Sequence, residues 1–259
     1  MYRWIPIYLS VNSRRVYFVA VSSISTALVA LATLAIQVSI PTTRGYFNMG
    51  EVMVYTVSLI FGPRVGGLAG GLGSALADIA SGYSFYAPAT LVAKGLEGYI
   101  VGRISRFKLC ISRISHRILS IAIPLILTLA FWSISSQMYT GLAEITLIYY
   151  PLEAEIPLTL WMMASIALFI LLTVYVSRVS YENMVKIIAI LYGGSVMVLS
   201  YYLYEQIVLD VYALVEVPIN IGQMLVGLIL SIPLSEALAR MNLPMVIENY
   251  DRYSSRSKS

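Results

Sequence analysis

Charged residues are scarce in this chain. They make up 12% of its 259 residues, about half the fraction found in an ordinary soluble domain, whereas 59% of the residues are hydrophobic and the mean hydropathy is +0.80. A water-soluble single domain is therefore excluded. Because a membrane-spanning helix takes roughly 20 apolar residues, the length accommodates about six to eight spans, and a second, soluble catalytic domain is not expected.

Residues that commonly carry catalysis or bind metals are also few. Cys110 is the single cysteine and His116 the single histidine, which excludes an intramolecular disulfide, a multi-cysteine metal site and the zinc motifs that need two histidines. The sequence contains no phosphate-binding loop of the G-x-x-x-x-G-K-[S/T] pattern, so ATP hydrolysis by that route is excluded. We expect no enzyme activity, no cofactor and no metal. The small excess of basic residues is interpreted as a topology signal, not as a nucleic-acid surface.

Eight apolar segments fill most of the chain and predict an all-α, polytopic membrane bundle in a single membrane domain, residues 1–259. A polar tail is predicted at residues 240–259. The third segment carries glycines four residues apart, Gly66 with Gly70 and Gly67 with Gly71, which allow a neighbouring helix to approach at backbone distance. The segments cover residues 16–38, 48–62, 65–81, 88–102, 118–138, 157–177, 187–209 and 217–238.

The distribution of charges predicts the orientation in the membrane. With the N-terminus in the cytoplasm, fifteen of the seventeen basic residues fall on the inner side, in agreement with the positive-inside rule. Two loops on the opposite side are acidic and contain no Lys or Arg. We therefore expect a multi-pass protein of the cell membrane with both termini in the cytoplasm. The acidic residues of the outer loops are Glu144, Glu153, Glu155, Glu205, Asp210 and Glu216.

A recess is predicted on the outer side, because the second and fourth segments are too short to cross a bilayer. Residues 48–62 give about 22 Å of helix against a hydrocarbon core of roughly 30 Å. Ionisable residues are expected inside the membrane, at the level of this recess, and such groups usually face a cavity or pair with one another. Together with nearby aromatic rings they suit a small, polar aromatic solute. The ionisable residues are Glu51, Asp78, Lys94 and Glu97, and Tyr46, Phe47, Tyr83, Tyr86 and Thr90 adjoin them.

Each of these residues also has a purely structural interpretation. Asn48 and Glu51 fit a capping box at a helix start, and Asp78 fits a packing seam. Lys94 can pair with Glu97, three residues further on, or with Asp78. Most of the twenty tyrosines are expected in the interfacial belts, with Tyr149, Tyr150, Tyr201 and Tyr202 as examples.

An ordered series of glycine-rich and polar motifs begins at Gly45 and ends at Gly98. It consists of Gly45-Tyr-Phe-Asn-Met-Gly-Glu51, Phe61-Gly-Pro63, Gly66-Gly-Leu-Ala-Gly-Gly-Leu-Gly-Ser-Ala-Leu-Ala-Asp78, Ser81-Gly-Tyr83, Ala87-Pro-Ala-Thr90 and Lys94-Gly-Leu-Glu-Gly98. This series resembles the membrane-embedded substrate-binding (S) component of energy-coupling factor (ECF) vitamin transporters, in particular the riboflavin-type group. A shorter run, Glu216-Val-Pro-Ile-Asn-Ile-Gly-Gln223, resembles the start of the family's last helix.

The resemblance implies a six-helix protein that binds a vitamin near the outer face, in a pocket closed by the loop after the first helix. It also implies partners: a transmembrane coupling protein that carries two ATPase subunits. The first helix is expected to dock on that partner through small residues. Two pairs at the required spacing are Ser23 with Ala27 and Thr26 with Ala30, and ordinary packing within the chain is the alternative for both.

The chain departs from the six-helix pattern. The family's last two helices correspond best to residues 187–238, so residues 118–177 are interpreted as an inserted two-helix hairpin. The residues that precede the last helix of each pair are similar, Tyr150–Pro157 in one case and Tyr212–Pro218 in the other. This similarity favours the hypothesis that the insertion is a duplicated C-terminal hairpin.

The predicted substrate is a vitamin or a related small molecule. Riboflavin is the first candidate, and thiamine, its pyrimidine precursor or another vitamin are alternatives. A stand-alone transporter that relays protons through Asp78, Lys94 and Glu97 is a different possibility, and a purely structural membrane protein is a third. The residues expected to frame or support the site are Asn48, Glu51, Asp78, Tyr83, Tyr86, Lys94, Glu97, Asn220 and Gln223.

Overall fold

The protein is an all-helical bundle with two small β-hairpins. The computed structural model describes residues 11–40, 45–107, 112–138, 141–147, 150–180, 183–209 and 213–240. Within these ranges the helices are α1 (Val11–Ala35), α2 (Gly50–Phe61), α3 (Pro63–Ala80), α4 (Ala87–Ile104), α5 (Arg113–Met138), α6 (Leu158–Arg178), α7 (Met184–Ile207) and α8 (Val217–Arg240). The strands are β1 (Gln37–Ile40), β2 (Gly45–Asn48), β3 (Gly141–Leu147) and β4 (Tyr150–Ile156). The predicted fold class is confirmed, while most of the predicted tail, 240–259, lies outside the described residues.

Five of the helices are long and apolar enough to cross a membrane: α1, α5, α6, α7 and α8. The chain is therefore a multi-pass membrane protein. By contrast, α2 has only 12 residues, which is about 18 Å of helix and too short to cross the hydrocarbon core. The remaining two, α3 and α4, have 18 residues each and are rich in glycine. The shortness predicted for the second segment is thus confirmed, whereas the fourth segment, predicted at residues 88–102, forms a longer helix.

Helices α3 and α4 pack backbone against backbone. A methyl group added at Gly71 would lie 2.6 Å from the carbonyl oxygen of Leu91, and one at Gly70 would lie 2.7 Å from the carbonyl oxygen of Lys94. Gly66 and Gly98 face each other in the same way. The glycines are required here because any side chain would separate the two helices. The close approach predicted from their spacing is confirmed.

The core of the bundle forms around α2. This short helix packs against α1, α3, α4 and α8, and its Val54 and Tyr55 are fully buried. Helix α7 packs against α4 and α8, so six helices surround one core. Helices α5 and α6 pack chiefly on each other at the side, where Tyr175 of α6 donates a hydrogen bond of 3.3 Å to the carbonyl oxygen of Leu228 in α8. This peripheral position is consistent with an inserted hairpin at 118–177, which stays a prediction.

Two local expectations from the sequence were wrong. The first apolar segment does not stay helical to residue 38, because α1 ends at Ala35 and residues 37–40 pair antiparallel with residues 45–48. The duplication hypothesis required similar structures before α6 and α8. Strand β4 leads into α6, whereas a 3-10 helix, Ala213–Val215, leads into α8. The local match in sequence therefore does not reflect a repeated structure.

Candidate ligand-binding site

A narrow cavity lies at one end of the six-helix core. Strand β2, the last turns of α3 and α7, and the first turns of α4 and α8 meet there. The cavity has a volume of about 40 Å³. Its wall combines acidic, amide and tyrosine side chains with one lysine. The lining residues are Tyr46, Asn48, Asp78, Tyr86, Thr90, Lys94, Tyr201, Glu205, Glu216, Asn220 and Gln223.

Lys94 forms the floor of the cavity and is held by two glutamates. Its ammonium pairs with Glu51 of α2 and lies 3.4 Å from Oε2 of Glu97, one turn further along α4. The hydroxyl of Tyr55 donates a hydrogen bond of 2.6 Å to Oε1 of Glu97. All four side chains are buried. The pairing of Lys94 with Glu97 predicted from their spacing is confirmed, whereas an ion pair with Asp78 does not occur among the described residues.

The start of α2 differs from the predicted capping box. Met49 occupies the N-cap position, and its own side chain makes no capping hydrogen bond. Oδ1 of Asn48 instead accepts a hydrogen bond of 2.8 Å from the backbone N–H of Gly50, which forms a local turn. Glu51 turns inward because the lysine on α4 offers it an ion pair inside the bundle. A tertiary contact has replaced the local one.

Tyr46 and Asp78 form the rim on the side of β2. The Tyr46 hydroxyl donates a hydrogen bond of 2.5 Å to Oδ1 of Asp78, and the Tyr46 ring lies 4.6 Å from the ring of Tyr83. A second hydrogen bond, 3.0 Å from Nε2 of Gln37 to the hydroxyl of Ser81, joins β1 to the end of α3. The β1–β2 hairpin is thereby attached at the edge of the cavity. That it closes the pocket, as the family resemblance implies, stays a prediction.

The opposite wall is built from α4 and α7. The Tyr201 hydroxyl donates a hydrogen bond of 2.9 Å to Oγ1 of Thr90, and the Tyr86 hydroxyl donates one of 3.3 Å to Oε1 of Glu205. The ring centroids of Tyr86 and Tyr201 are 6.4 Å apart. Nζ of Lys94 lies 5.6 Å from the centroid of the Tyr201 ring. This wall presents both aromatic faces and carboxylate oxygens to the cavity.

The assignment of Tyr201 to an interfacial belt was wrong, because its side chain is 9% exposed and lines the cavity. Glu205 was placed in an outer acidic loop but lies within α7 and is 2% exposed. A signal for both was present in the sequence. Tyr201 and Glu205 are four residues apart, which puts them on one face of a helix. What the spacing could not indicate is that this face packs against α4.

Six of the nine predicted site residues line the cavity. The other three lie next to it: Glu51 and Glu97 hold Lys94 from behind, and Tyr83 stacks on Tyr46. The lining residues absent from the predicted set are Tyr46, Thr90, Tyr201, Glu205 and Glu216. That these residues bind a ligand stays a prediction. The six that line the cavity are Asn48, Asp78, Tyr86, Lys94, Asn220 and Gln223.

Comparisons with known proteins identify the family. The family described as ECF-type riboflavin transporter, S component, matches residues 13–154, which include α1 to α5 and most of the β3–β4 hairpin. A Pyrococcus woesei protein described as an uncharacterized protein in the gap 3' region is 50% identical over 78 residues, which cover 30% of this chain and 52% of that protein. The chain thus matches about half the length of this curated relative. No solved structure matches the chain.

The family match covers more than half of the chain. The matched region contains the backbone contact between α3 and α4, the β1–β2 hairpin, and the charge cluster of Glu51, Lys94 and Glu97. The cavity residues of α7 and α8 lie outside the matched region. S components are the substrate-binding parts of transporters, not enzymes. On this match, the chain belongs to the S-component family of ECF-type riboflavin transporters.

Proposed function

We propose that the chain is the subunit that captures a vitamin-like small molecule from outside the cell for ATP-driven uptake by partner subunits. The observation that supports this most directly is the cavity itself. Buried tyrosine, amide and carboxylate groups from four helices and one strand converge in it, which is the arrangement expected for a small solute with an aromatic body and polar edges. Riboflavin is the first candidate by family, and thiamine or its pyrimidine precursor are alternatives.

The cavity must widen to hold such a ligand. Its volume is about 40 Å³, whereas pockets for small molecules measure roughly 300–1,000 Å³. Binding is therefore expected to include a separation of the cavity walls. The association rate constant of the ligand should therefore lie below the diffusion limit, because binding that requires a conformational change has a reduced on-rate.

The partners proposed are a transmembrane coupling protein and two ATPase subunits. The chain lacks a phosphate-binding loop, so the ATPase activity would come from elsewhere. On α1, Ser23 and Ala27 are exposed, whereas Thr26 and Ala30 are half-buried on the side that faces α3. Of the two small-residue pairs, Ser23 with Ala27 is therefore the better candidate for docking on a partner helix.

The proposed orientation puts the cavity outside and both termini in the cytoplasm. Basic residues at the opposite end of the bundle support it, since Arg64 at the start of α3 and Arg103 at the end of α4 lie far along their helices from the cavity. Arg178 at the end of α6 lies near Pro233 and Glu236, toward the end of α8 that is remote from the cavity. A cysteine introduced at the start of α6 should react with an impermeant thiol reagent applied from outside to intact cells. With Cys110→Ala as the background, reaction only after the cells are permeabilised would contradict this orientation.

Mass spectrometry of small molecules that co-purify with the full chain is the first experiment, followed by titration with riboflavin and thiamine. Saturable binding of either is expected. Uptake into proteoliposomes should require the coupling protein and ATPases. Uptake by the chain alone would instead support a proton-coupled transporter, which the engagement of Lys94 by two glutamates does not favour. The absence of both saturable binding and a co-purifying molecule would refute the proposed function.

A further inference from the structure

We propose that the cavity selects a positively charged ligand, a flat heteroaromatic cation or an aromatic amine in its protonated form. This inference rests on the proposed function of the same site and narrows its substrate class. The family name points to riboflavin, which is neutral. The side chains of this particular cavity favour a cation for three separate reasons, which concern the balance of charge, two carboxylate oxygens and the aromatic wall.

The balance of charge in and behind the cavity is acidic. Three carboxylates line the cavity, and two more lie behind Lys94. Among the described residues that line the cavity, Lys94 is the single basic one. Lys94 is already shared between Glu51 and Glu97. Its charge is therefore not available to the three lining carboxylates, which are Asp78, Glu205 and Glu216.

Two of the lining carboxylates each have one oxygen without a hydrogen-bond partner among the described residues. These are Oδ2 of Asp78 and Oε2 of Glu205. Asp78 is 3% exposed to solvent, and Glu205 is 2% exposed. Their other oxygens accept hydrogen bonds from Tyr46 and Tyr86, which fix the orientation of the carboxylates. A buried carboxylate oxygen without a partner is costly, so a ligand that brings positive charge and N–H donors gains free energy by binding to these two oxygens.

The aromatic residues complete a site for a cation. Tyr46, Tyr86 and Tyr201 line the same cavity as the two carboxylates. The face of Tyr201 already lies near the ammonium of Lys94, at 5.6 Å from Nζ to the ring centroid. Rings at this distance attract cations through their quadrupole, and the effect grows when water is excluded. A flat cation can thus stack on tyrosine while its charge faces Asp78 and Glu205, whereas an anionic ligand would be repelled.

The test uses the full chain in detergent and compares ligands that differ in charge. The probes are thiamine, which carries a cationic thiazolium ring, deazathiamine, in which a neutral thiophene replaces that ring, riboflavin, and the anionic flavin mononucleotide. Calorimetric titration should give at least a tenfold preference for thiamine over deazathiamine and no binding of flavin mononucleotide. This comparison needs no variant, so it does not depend on the folding of any substituted protein.

Asp78→Asn and Glu205→Gln keep the shape of the side chains and remove their charge. Each should weaken thiamine binding by roughly 10- to 100-fold, in line with the loss of a charge-assisted hydrogen bond, while deazathiamine binding changes little. Glu236→Gln is the matched control, since this glutamate lies near the other end of α8 and does not line the cavity. Equal affinity for the charged and neutral probes, or tighter binding of riboflavin, overturns the inference and leaves the proposed function intact. If none of the four probes binds and nothing co-purifies, the proposed function itself fails.

Discussion

Replacing Lys94 tests whether the charge cluster beneath the cavity holds the fold together. Lys94→Met removes the cation and leaves Glu51 and Glu97 at 1% and 0% exposure without it. Removal of one partner of a buried ion pair typically costs about 3–5 kcal/mol, because the remaining charge stays buried. For a chain of this size, each kcal/mol lost from the free energy of unfolding lowers the thermal unfolding midpoint by about 2–4 °C. The midpoint of Lys94→Met should therefore fall by roughly 6–20 °C.

The assay is thermal unfolding in detergent at a fixed heating rate, followed by far-ultraviolet circular dichroism. Lys186→Met is the matched control, because Lys186 lies 3.8 Å from Glu236 and both side chains are partly exposed, at 26% and 35%. Partly exposed ion pairs contribute about 0–1 kcal/mol, so this midpoint should hardly move.

A triple variant separates lost packing from lost charge. Glu51→Gln together with Lys94→Met and Glu97→Gln removes the cation and both anions, and should recover most of the stability that Lys94→Met loses. If Lys94→Met is as stable as Lys186→Met, or if the triple variant is no more stable than Lys94→Met, the view of the cluster as a buried, mutually compensating set of charges is refuted.

Three further predictions concern other parts of the molecule. Gly98→Ala should destabilise the protein by about 1–3 kcal/mol in the same unfolding assay, because its methyl group meets the backbone of Gly66. A methyl group at Gly222 makes only an ordinary contact, 4.0 Å from the ring of Phe47, so Gly222→Ala should be neutral or stabilising; equal effects of the two substitutions would contradict the close backbone contact between α3 and α4. Tyr46→Phe should lower stability by about 1 kcal/mol and speed ligand release in a stopped-flow assay, since a hydrogen bond between the hairpin and α3 is lost; unchanged release would show that this bond does not hold the hairpin. Ala27→Leu should abolish co-purification with the coupling protein without weakening ligand binding, and retained co-purification would exclude this face of α1 as the docking surface.

Features that depend on local sequence were predicted well. The shortness of α2, the glycine spacing of α3 and the pairing of Lys94 with Glu97 all follow from residues close to one another in the chain. Each of these signals is a helix length or a repeat at helical spacing, and helix geometry converts such spacing directly into position. The fold class followed from composition for the same reason, because the bilayer fixes the length and polarity of a spanning helix.

Features that depend on distant contacts were missed. Tyr201 and Thr90 are 111 residues apart in sequence, and Tyr86 and Glu205 are 119 apart, so no local pattern indicates that they meet. Glu51 left its predicted capping role for the same reason: a lysine 43 residues further on offers a buried partner. Local propensity decides a side chain's role only where tertiary packing offers no stronger interaction.

The backbone seam between α3 and α4 also determines which parts of the cavity wall can move. These helices touch through glycines, so a shift of one along the other would bring its backbone carbonyl groups into steric clash with the backbone of its neighbour. We therefore expect α3 and α4 to move as one rigid unit. The β1–β2 hairpin, by contrast, is joined to the end of α3 by two side-chain hydrogen bonds, Tyr46 to Asp78 and Gln37 to Ser81. Together they contribute a net stabilisation of about 1–3 kcal/mol. Thermal motion breaks contacts of that strength readily. The glycines of α3 thus confine the opening of the cavity to the hairpin, α7 and α8, and we expect the hairpin, not the α3–α4 pair, to set how quickly a ligand enters and leaves.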